Sequence, residues 1–361
     1  MTSPMITTIL ERLAREEIRL DWYSGKTILV TGGAGFIGSW LVESLVRLGS
    51  DVFVVDNLWR GTLDNLIRDG DNTWIPLSSR FLEGDLREYQ IALTAMIWAK
   101  PDLVFHLADI VAGVDYVFSN EPFLFRANSV LNSNVYDALR ETSVPNLIYL
   151  CTACSYPRVL HEKTERTPLV EEQAYPAEPE SAYGWSKLMG EYEAELLAKY
   201  HTTNLGILRL HNVYGPRAML DSDRSQVIPS LIRKAIRYPE EEFVVWGSGM
   251  QARDFVFVGD VIDALIRMPI RGMGQGVIQI GTAVETTVAD LAKLVVEVSG
   301  KKIPIRFDTS KPEGDFGRSG DHGKASRILG WRVNTTLLDG IQQTYRWAED
   351  RIRRDRARRG N

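Results

Sequence analysis

The chain of 361 residues holds only two cysteines, Cys151 and Cys154. That scarcity excludes a disulfide framework and points to a reducing compartment, so a cytoplasmic location is expected. No apolar run reaches the roughly 18 residues that a membrane span requires. The first residues show no charged-then-apolar secretory pattern. An excess of positive charge is missing as well: the formal net charge is -5, which argues against general nucleic-acid binding. The five histidines show no metal-ligand spacing, and no metal site is expected. Internal repeats are lacking. The one biased tract is the arginine cluster Arg351, Arg353, Arg354, Arg356, Arg358 and Arg359, expected to be a solvated, frayed helix end.

What is present is the balance of a soluble globular protein, with 44% hydrophobic and 25% charged residues. The length suffices for one large domain or two ordinary ones. In residues 1–25, Ile9, Leu10, Leu13, Ile18 and Leu20 give the apolar stripe of a short amphipathic helix, expected to pack on the body or on a partner subunit. From Lys26 onward short apolar runs alternate with helical patterns: Thr27–Thr31, Asp51–Asp56, Asp102–Ala108, Leu147–Thr152 and Leu205–Leu210. The runs are rich in Val, Ile and Leu without polar alternation, as strands buried on both faces of a parallel sheet require. After about residue 211 the order loosens, and helical stretches at Gln226–Ile236 and Thr287–Val298 mix with short strands.

The first strand runs into Gly32-Gly33-Ala34-Gly35-Phe36-Ile37-Gly38, and a helical pattern follows. Strand, glycine turn and helix is the context in which such glycines bring a backbone close to a pyrophosphate and aim a helix N-terminus at it. Gly32, Gly35 and Gly38 stand at i, i+3 and i+6, the tighter spacing of short-chain dehydrogenases. The second strand ends at Asp56, an acid suited to both ribose hydroxyls of an adenosine and repellent to a 2′-phosphate, so NAD is expected over NADP. Arg60 nearby softens that preference. Asp85, after the next short strand, is a candidate for the adenine amino group. Phe36, Ile37, Asn57, Leu86, Leu107 and Ala108 complete the expected cofactor cleft.

Tyr183 and Lys187 lie four residues apart at the start of a helical pattern reaching about Tyr200, and so share a face. A phenol titrates near about pH 10. A neighbouring ammonium and a positive nicotinamide both favour its phenolate, which then moves a proton on or off a substrate hydroxyl. Thr152, at the end of the preceding strand, is expected to hydrogen-bond the same oxygen. Cys151 and Cys154 also read as C-x-x-C, but this one ends a strand instead of opening a helix, and redox or metal readings are set aside.

These segments resemble the extended short-chain dehydrogenases/reductases that modify nucleotide sugars. The resemblance rests on Thr-Ala-Cys-Ser-Tyr-Pro from Thr152, Tyr-Pro-Ala-Glu-Pro from Tyr175 and Ala-Tyr-Gly-Trp-Ser-Lys from Ala182. Leu-His-Asn-Val-Tyr-Gly-Pro from Leu210, Trp-Gly-Ser-Gly from Trp246 and Gln-Ala-Arg-Asp-Phe from Gln251 add to it. It covers roughly residues 26–350. Within the group the GDP-mannose 3,5-epimerases are the nearest likeness, with the GDP-fucose synthases as neighbours. The resemblance implies a catalytic set of Thr152, Cys154, Tyr183 and Lys187, with Cys154 as the base that inverts C3 and/or C5 of a transient 4-ketone. It places the substrate near Asn212, gives Arg253 the nucleotide diphosphate, and leaves Lys311 and Arg318 as helpers. One departure stands out: Gln226 occupies the place of the proton-donating acid, and an amide cannot donate as an acid. Alternatives therefore stay open: a 4-epimerase working by hydride return alone, a nucleotide-sugar reductase or dehydrogenase, and an NAD-binding sensor. The 4,6-dehydratases are disfavoured by Ala153 and Cys154 where they carry an acid pair, and the decarboxylases by Cys154 where they usually carry a glutamate.

The expected fold is α/β: a Rossmann-type doubly wound parallel sheet with a smaller mixed α/β substrate domain. Residues 1–25 form a helical extension and 26–210 the NAD-binding domain, with a returning segment near 255–270 that includes a strand around Phe255–Val258. Residues 211–350 are mainly the substrate-binding domain, and 351–361 a basic tail. A homodimer and a nucleotide-diphosphate sugar are the expected partners.

Overall fold

The structure, a computed structural model, describes residues 3–111, 113–160, 167–220, 225–311 and 317–359. Seven parallel strands form the central sheet: β1 (Thr27–Thr31), β2 (Asp51–Asp56), β3 (Phe81–Glu83), β4 (Leu103–His106), β5 (Asn146–Thr152), β6 (Asn204–Leu210) and β7 (Val277–Ile280). Their spatial order is β7-β6-β5-β4-β1-β2-β3. The order reverses between β1 and β4, and such a switch point opens a crevice beyond the strand ends.

The apolar runs explain the layering. Successive side chains of a strand point to opposite faces. Ile28 and Val30 enter one core with Val52, Val54, Leu103 and Phe105, while Leu29 enters the other with Phe53, Val55 and Val104. A strand with no polar face is stable only when helices cover both sides. One face receives α1 (Pro4–Arg15), α2 (Phe36–Arg47) and α7 (Val258–Arg267); the other receives α3 (Tyr89–Ala99), α4 (Glu121–Glu141) and α5 (Ala182–Tyr200). The remaining long helices are α6 (Val227–Arg237), α8 (Val288–Ser299) and α9 (Leu337–Arg359).

One expectation, a frayed arginine end, is corrected. The strand Phe255–Phe257 pairs in parallel with Asn212–Tyr214, and the helix that follows it, α7, packs in the same cluster as Ile28 and Val30 of β1. The late strand that joins the sheet is β7, paired with β6. Its Val-Ile-Gln-Ile sequence carries Gln279 at a fully buried position, where it bonds Tyr156, His211 and backbone carbonyls. The arginine cluster continues the regular helix α9, with Arg351 against Asp64 and Asp355 and Arg356 against Glu240. Residues 360 and 361 and the side chains of Arg358 and Arg359 fall outside the described part.

The N-terminal helix docks on the body. Ile6, Ile9 and Leu13 are buried, Arg12 pairs with buried Asp263 at 2.7 Å, and the Tyr23 hydroxyl donates to the Ile266 carbonyl at 2.8 Å. A helix so tied belongs to the cooperative core. Leu13→Ala is expected to cost about 2–5 kcal/mol of global stability, read by urea unfolding; a cost near zero would mean that the helix detaches independently.

Candidate active site

The glycine turn between β1 and α2 tolerates no side chain at its tightest point. A Cβ at Gly38 would lie 2.2 Å from the Gly32 carbonyl oxygen. Gly32 has φ +70° and faces the Ala108 backbone, 3.0 Å from where a Cβ would stand. The turn thus brings bare backbone and the start of α2 to the cleft wall, together with Gly35, Phe36 and Ile37. Asp56, 8% exposed, closes the turn by accepting from the Ala34 and Leu58 amides at 3.0 and 2.8 Å. Burial raises its carboxyl, and those amides pull the other way. Asn57, Leu86, Leu107 and Ala108 also line the cleft. Asp85 stands beside it, gripped by the Arg87 guanidinium, which lowers its carboxyl to about 2, and bonded by Asn57. Arg60 reaches the Val111 carbonyl across the cleft at 2.6 Å. A glycine cradle at a helix N-terminus with a strand-end carboxylate fits a dinucleotide.

A second group of polar side chains in the cleft is built where β5 ends against α5. Ser181 caps that helix, accepting from the Gly184 amide at 3.2 Å. Gly184 is required: a Cβ there would meet the Cys154 carbonyl oxygen at 2.2 Å. This approach brings Tyr183 and Lys187 into the same cleft wall as Thr152 and Cys154. Thr152 accepts from the Cys154 amide at 3.2 Å, fixing the turn that carries the thiol. Arg318, 8% exposed, donates to the Cys154 sulfur at 3.0 Å. Cys151 differs from its neighbour: it is buried against Ser155, and burial pushes its thiol up to about 12. Both thiols are free.

Asp109 is the residue that sequence reasoning missed. Its carboxylate accepts from the Tyr183 hydroxyl at 2.9 Å and lies 3.6 Å from the Lys187 ammonium. Burial, then the Asp109 charge, raises the Tyr183 phenol well above its ordinary value. The available signal was an acid just past the β4 end, at the crevice of an open α/β sheet.

Behind Lys187 a buried chain runs from Thr31 to His106 (2.8 Å), from His106 to Asn132 (3.1 Å), and from Asn132 to the Tyr149 hydroxyl (3.4 Å), which donates to the Lys187 carbonyl. The ammonium lies 4.5 Å from the centre of the Tyr149 ring.

Across the cleft, Asn212 precedes the turn at Pro216, which accepts from Trp40 of α2 at 2.9 Å. Gln226 stands at the N-terminus of α6 and lines the cleft. Arg253 and Arg318 are paired residues of adjacent short strands, both at the cleft. The intervening carboxylate of Asp254 is fully buried and accepts from Thr282, Ala283 and Gly320 amides. Lys311 stands over Trp246, 5.5 Å from the ring centre. The cleft that Gly35, Asp56, Tyr183, Cys154, Gln226 and Arg253 line together measures about 730 Å³. Among the described residues no cluster of three metal-binding side chains and no helix long and apolar enough to cross a membrane is found.

Known proteins share this architecture. Residues 28–281 match the NAD dependent epimerase/dehydratase family. GDP-mannose 3,5-epimerase of Arabidopsis thaliana is 29% identical over 335 residues, covering 92% of this chain and 84% of that protein. Among solved structures, UDP-glucose 4-epimerase of Thermotoga maritima with UDP-glucose superimposes with a TM-score of 0.80 at 29% identity, over 90% of this chain and 99% of its own. The UDP-glucose 4-epimerase of Thermus thermophilus in complex with NAD gives 0.77 at 26% identity, over 89% and 98%.

His106 makes the site sensitive to acid. Burial, helped by the Lys187 charge, holds its imidazole down to about 3, against about 6.5 in an unfolded chain. The unfolded state therefore takes the proton first as pH falls. The stability from neutral His106 is intact above about pH 6.5 and declines toward about pH 3, by roughly 1.4 kcal/mol per unit from this group. The imidazole carbon shifts are expected to remain those of a neutral ring down to about pH 4; a ring that titrates near 6.5 in the folded protein would contradict this.

Proposed function

The chain belongs to the NAD dependent epimerase/dehydratase family, and from that membership we propose that it is a nucleotide-sugar epimerase that oxidises its sugar transiently at C4 and inverts C3 and/or C5, as a GDP-mannose 3,5-epimerase does. The observation that carries this reading is the Cys154 thiol, set in the cleft wall beside Tyr183 and Lys187 with the Arg318 guanidinium at 3.0 Å.

The Gly32–Gly38 turn and Asp56 would hold NAD, which would supply the acceptor and donor of hydride at C4. Tyr183 takes the proton of the C4 hydroxyl and returns it, Lys187 supports it through charge, and Thr152 offers its hydroxyl to the same oxygen. A C4 carbonyl acidifies the neighbouring C–H bonds. Cys154 removes the proton from one of them, its sulfur held in place by the hydrogen bond from the Arg318 guanidinium. Gln226 orients the sugar and donates no proton as an acid, so the proton for the opposite face comes from water or from another side chain of the cleft. Arg253 offers a planar fork to the diphosphate, and Asn212 binds near the sugar.

A second reading, 4-epimerisation by hydride return alone, is favoured by the same Gln226, because that reaction needs no acid there. The NMR spectrum of a nucleotide-sugar reaction in heavy water, with GDP-mannose first in the panel, separates the two. Deuterium at C3 or C5 is expected, and its loss in Cys154→Ser assigns the base. Epimerised product free of deuterium would sink the 3,5-reading and leave the 4-epimerase.

The proposed assembly is a homodimer. Trp185, Met189 and Tyr192 form an exposed i, i+4, i+7 stripe on α5, and Phe123 and Val130 are exposed on the adjoining α4. An outer face this apolar suits a second copy of the same chain. Light scattering is expected to give twice the chain mass, and Tyr192→Arg to give the monomer; a wild-type monomer would refute the assembly.

A further inference from the structure

Asp109 stands at a fixed point of the cleft. On one side the Ala108 amide donates to Thr31 at 3.0 Å; on the other, both backbone groups of Ile110 bond the Asn128 side chain, at 2.8 and 3.0 Å. The carboxylate is 12% exposed, and a single oxygen, Oδ2, takes both the Tyr183 hydroxyl and the Lys187 ammonium. Nothing in the proton transfer proposed above uses this group.

We propose that Asp109 is a positioning residue for the Tyr183–Lys187 pair: its carboxylate holds the phenolic hydroxyl and the ammonium on one oxygen in the resting site, and a substrate hydroxyl takes the phenol over on binding. A carbinol oxygen presented to Tyr183 substitutes for Oδ2 in the hydrogen bond, while Asp109 keeps Lys187 in place. Once that exchange frees the phenol from Oδ2, its proton passes to water in the cleft and the resulting phenolate takes the proton of the substrate hydroxyl, so an empty site keeps its base protonated.

The groups facing Tyr183 are consistent with one dominant anion. Asp109 comes from the end of β4. Cys151 and Cys154 come from β5 and the turn after it, and Tyr149 from β5. Lys187 lies on the same helix, and buried His106 faces the ammonium from behind. Glu121 of α4 is engaged by the Ala182 amide at 3.1 Å. Burial and then Asp109 are the two largest influences that raise the phenol.

The proposal rests on Tyr183 being the proton-transfer residue, and its test separates the two claims. Full-length protein labelled with ¹³C at the tyrosine ζ carbon is titrated by NMR, with Tyr183→Phe assigning the resonance. In Asp109→Asn the Tyr183 midpoint is expected to fall by about one pH unit or more, and the rising limb of kcat/KM for the nucleotide sugar to move to lower pH with it. An unchanged midpoint and limb in a folded Asp109→Asn protein would overturn the proposal. Asp109→Ser is titrated in the same way should the amide variant fail to fold, with thermal unfolding as the check on folding. Full turnover by Tyr183→Phe would instead overturn the role of Tyr183, while the phenol titration still reports on Asp109.

Discussion

The interaction on which the site depends is the burial of one positive charge. Lys187 is 3% exposed, and an ammonium taken out of water is costly unless it is paired. The structure answers with the Asp109 carboxylate, the face of the Tyr149 ring and a neutral His106. These come from the ends of β4 and from β5, so satisfying one charge fixes the mutual position of β4, β5 and α5. Tyr183 is brought in as a consequence, one helical turn before the lysine.

A second constraint is steric. A helix that follows a parallel strand must pack back across the sheet, and here it does so at the closest range the backbone permits, with Gly184 against the Cys154 carbonyl. The same principle works at the glycine turn, where Gly38 faces the Gly32 carbonyl. Both ends of the cleft are therefore built on backbone contacts that no side chain can enter. Opposite them, the substrate side is held by polar groups: the buried Asp254 carboxylate ties the strand of Arg253 to the loops at Thr282 and Gly320, and Glu43 on α2 pairs with Arg217 at 2.7 Å.

Several of these features were legible in the sequence because they are local. The strands Thr27–Thr31 and Asp51–Asp56, the helix from Ala182 to Tyr200 and the glycine turn each follow from short-range pattern, period or backbone restriction. Other features were not legible. β7 is short and interrupted by Gln279, whose amide is tolerated in the core only because Tyr156 and His211 reach it from elsewhere. The strand Phe255–Phe257 has a stronger apolar signal than β7, yet pairs outside the sheet; pairing partners are long-range facts that propensity does not encode. Asp109 drew no expectation from the sequence, because Tyr183 and Lys187, more than seventy residues away in the chain, converge on it only in the fold.

The sequence by itself therefore determined the class of fold, the strand–turn–helix around Gly32–Gly38 and the shared helix face of Tyr183 and Lys187, since these depend on residue type and spacing within one local unit each. Tertiary structure alone decided the charge environment of that pair, the contact between Arg318 and Cys154, and the choice of β7 as the last strand of the sheet. The physical reason is common to all three. They arise between segments distant in sequence, where the direction of a side chain and the absence of water decide what an acid, a thiol or an amide does.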